Sequence, residues 1–140
     1  MATLLQFSKN IRKRGNEINN ETANVVRRVA RNALRNLVVG TRVDTGLARS
    51  NWRVSVGGFP RATIPPYSPG KKLGIKETGN KAGALTAGNN EIRKLTGRGH
   101  ARKSIVISNQ VPYIGFAVLP GTVESVAATA AAEIRTFRLK

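Results

Sequence analysis

Apolar residues in the first part of the chain recur with a helical period. Leu4, Phe7, Ile11, Ile18, Thr22, Val25, Val29, Ala33 and Leu37 fall close to multiples of 3.6 residues, in one phase. Thr3 followed by Gln6 resembles a capping box at the start of that run. Gly15, inside Arg12-Lys13-Arg14-Gly15-Asn16, interrupts it, so the pattern predicts a kink or two helices, the second over about 16–39.

The period then changes. Asp44-Thr45-Gly46 is a compact turn signal, because Asp and Thr side chains can bond nearby backbone N–H groups and Gly accepts positive φ. Trp52, Val54 and Val56 alternate with Arg53 and Ser55, the period of a half-buried strand whose apolar face takes the tryptophan. From Gly57 to about Gly83 nothing periodic survives: Pro60, Pro65, Pro66 and Pro69 are interspersed with Gly70, Gly74 and Gly79, which predicts an extended arm. A short helix is expected between Ala84 and Leu95. Ser104 to Ser108 and Tyr113 to Leu119 read as two strands of a hairpin turning through Asn109-Gln110-Val111-Pro112. Pro120-Gly121 ends it, Thr122 is the expected cap of a final helix, and Glu124 suits its first turn. Val123, Val126, Ala127, Ala130, Ile134 and Phe137 have helical spacing there, and the alanines predict close packing.

These elements add up to one α+β domain over 1–140. A long N-terminal helix and a C-terminal helix pack on a small, mainly antiparallel β-sheet, with a long basic Gly/Pro-rich loop or arm within 57–102. Aromatic residues make up only 5% of the 140 residues, so the core is expected to be aliphatic and thin, with an oligomer interface supplying missing burial.

Charge alters the picture more than composition does. The chain has 24 Lys and Arg against 7 Asp and Glu, a net charge of +17. Residues 1–50 hold 10 basic and 3 acidic side chains, 51–102 hold 10 and 2, and 103–140 hold 4 and 2. Such an imbalance bears on partners rather than fold: nucleic acid, an acidic protein surface or anionic lipid would each neutralise it. Arg27, Arg31 and Arg35, at i, i+4 and i+8 with Arg28 beside them, form a basic ridge on the long helix. Lys71, Lys72, Lys76 and Lys81 make the arm basic, and Arg98 and Arg102 flank a Gly-rich loop. Each set is either a solvated face or a contact for a partner's carboxylates or for DNA phosphates. No stretch reaches the roughly 18 consecutive apolar residues of a membrane span, so no membrane partner is expected beyond a peripheral one.

Candidate chemistry is sparse. There is one His and no Cys, and the seven carboxylates are scattered. His100 lies among Arg98, Gly99 and Arg102 without a nearby acid, a poor setting for a metal ligand or general base. The segment from Gly74 to Lys81 imitates a phosphate-binding loop in glycine spacing, but Asn80 stands where that motif needs Lys and Lys81 where it needs Ser or Thr. Neither an enzyme nor a cofactor is expected.

Two short motifs carry a family resemblance: Val43-Asp44-Thr45-Gly46-Leu47-Ala48-Arg49-Ser50-Asn51-Trp52, and Ile107-Ser108-Asn109-Gln110-Val111-Pro112-Tyr113. With them, in this order, the chain resembles the tail-completion or head–tail joining (neck) proteins of tailed bacteriophages. In that family a long helix runs into a V-D-T-G turn, then a Trp- or Ile-bearing strand, a variable loop, an N-x-V-P-Y motif and a C-terminal helix. Family members commonly carry a Glu soon after the Tyr; here the run from Ile114 to Leu119 has no acid. Asp44, Thr45, Gly46, Trp52, Asn109, Pro112 and Tyr113 are the motif residues carried over, with a structural role.

The resemblance implies a structural virion protein of the neck. Six copies, or twelve, would form a ring between the portal-side adaptor and the tail tube, with double-stranded DNA passing through its lumen, in the virion and, during assembly, in the host cytoplasm. The alternative from charge alone is a basic nucleic-acid-binding structural protein of ribosomal or nucleoid type.

Overall fold

The computed structural model describes residues 4–58, 62–70, 77–95 and 105–137. Lys71, Lys72, Lys76, Arg98, His100 and Arg102 lie outside the described residues, as does much of the expected basic arm. Among those described, the elements run α1 (Leu4–Val39), α2 (Leu47–Ser50), β1 (Arg53–Val56), α3 (Gly79–Arg93), β2 (Ile105–Ser108), α4 (Ile114–Ala117) and α5 (Thr122–Thr136).

Helix α1 is continuous for 36 residues, so of the kink or two helices expected at Gly15 the division into two does not occur. Gly15 is exposed, and no atom would meet a Cβ there, so its cost is only the roughly 1 kcal/mol of helix propensity. The C-terminal half of α1 is the spine of the core. Ala30, Leu34, Leu37 and Val38 cluster with Trp52, Val54, Ala84 and Ile92, while Leu85, Ile105, Ile107, Ile114, Val118 and Val126 pack around them.

Helices α3 and α5 both run antiparallel to α1. Along α3, Gly88 reaches Leu34 and the carbonyl of Leu95 reaches Arg27. Along α5, Thr122 abuts Gly40 and Glu133 faces Asn32. Gly88 permits the α1–α3 approach, since a Cβ there would lie 2.2 Å from Leu34 Cδ2.

The sheet is antiparallel and two-stranded, with register Arg53↔Ser108, Val54↔Ile107, Ser55↔Val106 and Val56↔Ile105. Strand β2 therefore pairs with the Trp52 segment and not with 113–119, correcting the expected hairpin. Residues 114–117 form a helical turn instead, and the rest of that expected strand is one antiparallel bridge, Thr41↔Val118. A short apolar run does not distinguish strand from helix by itself. Here Pro112-Tyr113 turns the chain, and the carbonyl of Tyr113 accepts hydrogen bonds from Phe116 and Ala117.

Helix α3 begins at Gly79, inside the stretch read as arm, and includes the short helix expected over 84–95. Helix α5 differs from expectation twice. Its cap is Gly121 at φ 80, not the Thr122 side chain, and none of its residues is buried. No helix among the described residues is long and apolar enough to cross a membrane.

Candidate functional site: a buried polar latch and two motif surfaces

The V-D-T-G stretch is built around Gly46. Its φ of 86 places it in the left-handed region and starts the short helix α2. A Cβ on Gly46 would also lie 2.1 Å from Asn80 Nδ2, so glycine answers both backbone and space. Helix α2 then carries Arg49 and Ser50 inward, and Asn51 follows them; all three are buried.

Each of the three fastens a different segment. Arg49 donates from Nη2 to the carbonyl of Thr41 at 2.7 Å and from Nη1 to that of Glu77 at 2.8 Å, tying the end of α1 to the start of α3. Burial pushes its guanidinium below the ordinary arginine value, and the charge of Glu77 opposes that shift. Ser50 Oγ donates to Asn80 Oδ1 at 2.8 Å and accepts from the Tyr67 amide at 3.2 Å. Asn51 grips Ile64 twice, Nδ2 donating to its carbonyl at 2.8 Å and Oδ1 accepting from its amide at 2.7 Å.

Asn80, with no exposed surface, closes the network from α3: Oδ1 also accepts from the Ser68 amide at 2.7 Å, and Nδ2 donates to the Ser68 carbonyl at 3.0 Å. Glu77 Oε1 accepts from the Asn80 amide at 2.7 Å, an acidic group at the positive end of α3. Buried polar groups are inexpensive only when paired, and here the pairing holds both ends of the arm against the body.

The two motifs meet. Asn109 Nδ2 donates to the Ala48 carbonyl at 2.7 Å, while its Oδ1 accepts from the Val111 amide at 3.1 Å, an Asx turn. Asp44, Thr45 and Gly46 then line one groove of about 370 Å³ with Tyr113 and Phe116. Phe116 is 89% exposed beside it, and Pro112 is exposed at the preceding turn. Trp52 is buried, and its Nε1 donates to Thr41 Oγ1 at 2.7 Å; that hydroxyl in turn donates to the Leu37 carbonyl.

Comparison of the chain with protein-family models, with curated proteins and with solved structures finds no match.

The basic ridge divides. Arg27 donates to the Leu95 carbonyl at 2.5 Å and to Asn24, so it caps the end of α3. Arg31 is exposed. Arg35 shares an open cleft between α1 and α5 with Lys81 and Glu133, which brings one ridge residue and one arm lysine together. A second cleft, about 590 Å³, lies between β1 and α3 beneath Ile64 and Tyr67. Among the described residues no group of three His, Cys, Asp or Glu could hold a metal. Sequence reading missed the latch: Arg49, Ser50 and Asn51 stand inside a quoted motif, but nothing in the sequence pointed to Asn80 as their partner.

Proposed function

We propose that this protein is a structural component of a phage neck, a subunit of a homo-oligomeric ring that joins head to tail around the DNA passage. The observation that carries the reading is the direct bond between Asn109 and Ala48, with Asp44, Thr45 and Tyr113 lining one groove. Two short motifs, joined through residues 61 positions apart, form one structural unit, so their co-occurrence follows from one requirement of the fold. The latch serves a joint: it clamps the base of a basic segment to a small body while leaving the surface for neighbours. The cleft where Arg35 and Lys81 meet Glu133 keeps a net positive charge, which suits acidic neighbours or DNA phosphates.

Particle imaging with a labelled subunit tests the assignment, and label between portal and tail tube is the expected result. Light scattering and DNA titration against salt test the rival. A protein that stays monomeric, ignores phage heads and tails, and binds DNA with a steep salt slope is a nucleic-acid-binding protein, and the neck reading is then wrong.

A further inference from the structure

Helix α1 is longer than the body it supports. Helix α3 ends beside Arg27 and α5 near Asn32, whereas α1 begins at Leu4. Every residue over 6–17 is exposed, including Phe7 and Ile11 at 58% each. The segment over 6–17 thus projects for about 18 Å as a bare helix. Phe7, Ile11 and the half-buried Ile18 lie in one phase, at spacings of 4 and 7 residues, and form an apolar stripe without an occupant on the described chain.

A stripe of the same length lies on the other flank. On α5, Val123 and Ile134 are 50% and 55% exposed, and Ala127 and Ala130 stand between them at spacings of 4, 3 and 4. Phe7 to Ile18 and Val123 to Ile134 each span 12 residues, a rise of about 16 Å along the helix. One stripe is bulky and the other has small residues at its centre, so knobs of the first fit the second.

Charge selects the pairing. The projection bears Lys9, Arg12, Lys13 and Arg14 against Glu17, while α5, the only described element with net negative charge, carries Glu124 and Glu133 against Arg135, Glu133 lying toward Asn32 of α1. Two projections packed on each other would oppose like charges. Duplex DNA would neutralise the cations but leave Phe7 and Ile11 in water.

We infer that the N-terminal projection of one subunit docks along the outer stripe of α5 on a second copy of this chain. Donor and acceptor surfaces differ, so the contact is head-to-tail and every subunit offers both halves; such contacts close into rings or propagate as filaments. The inference rests on the ring reading above and names its subunit contact.

The chain has no cysteine, which makes site-specific cross-linking clean. Full-length Ile11→Cys and Ala130→Cys proteins, separately and mixed, are treated with a short bis-maleimide. Mixed samples should yield covalent dimers, with neither variant cross-linking efficiently to itself. Phe7→Asp with Ile11→Asp should leave the circular dichroism spectrum unchanged, because both side chains are exposed, and weaken self-association by about tenfold or more.

Self-linking of Ile11→Cys at the mixed rate overturns the inference in favour of a symmetric contact. A wild-type oligomer that Phe7→Asp with Ile11→Asp leaves intact overturns it while sparing the ring reading. A wild-type protein monomeric at every concentration, whose projection binds anionic vesicles, overturns both.

Discussion

Gly46 and Asn80 permit a quantitative test of the latch. Gly46→Ala places a non-glycine residue at φ 86, which costs about 1–2 kcal/mol. Its new Cβ would also sit 2.1 Å from Asn80 Nδ2, so the carboxamide must leave its place. That carboxamide holds three hydrogen bonds, with Ser50 Oγ, the Ser68 amide and the Ser68 carbonyl. At about 1 kcal/mol each, their loss costs about 3 kcal/mol. Gly46→Ala should therefore cost about 4–5 kcal/mol, and Asn80→Ala about 3. Once Asn80 is truncated, the added methyl has room, and only the backbone strain remains. The double variant should then cost about 4–5 kcal/mol, roughly 3 less than the sum of the singles. Urea titration followed by the fluorescence of Trp52, the single tryptophan, reads all four proteins. Additive losses would show that Gly46 does not act through Asn80, and the latch as described would be wrong.

Three other variants probe adjoining contacts. Asn109→Ala removes the bond to Ala48 and the Asx turn to Val111, and should lower stability by about 1–2 kcal/mol in the same titration; an unchanged midpoint would mean that the motifs merely touch. Gly88→Ala should cost about 1–3 kcal/mol by pressing on Leu34, and Leu34→Ala should cost less in that background than alone; calorimetry of the four proteins decides. Trp52→Phe loses the donor to Thr41 Oγ1 and leaves a small void, for about 2–3 kcal/mol in thermal melts followed by circular dichroism; a loss below about 1 would place the stability of this corner elsewhere.

Legibility varied with how local each cause is. The long helix follows from a sustained period, and Gly15 failed to break it because a solvated glycine costs a helix little when 36 residues propagate it. Strand β1 was visible in the alternation from Trp52, but its partner was not. Ile105 and Ile107 pair with a segment about 50 residues earlier, a choice made by the core that both strands share and by α3, on which β1 packs. The run from Tyr113 to Leu119 offered no period to separate strand from turn, so its single bridge to Thr41 depended on tertiary context. For α5 the alanines predict close packing, and the helix does lie along α1 with Val126 against the core, yet none of its residues is fully buried, because small residues suit either face.

The arm is where local reading and structure diverge most in consequence. Its prolines and glycines suggest a segment separable from the body, yet Ile64, Tyr67, Ser68 and Glu77 all bond to buried side chains of Arg49, Ser50, Asn51 or Asn80. Removing 66–79 would strip Asn80 of both Ser68 contacts and α3 of its Glu77 carboxylate, so the deletion should destabilise the body, which removal of a free arm would not do. Limited proteolysis separates these views. If the arm is latched, cleavage at its described base is slow in the wild type and accelerates in Asn80→Ala. Equal cleavage rates would mean that the network holds the arm only weakly, and that Arg49, Ser50 and Asn51 serve the α1–α3 junction alone.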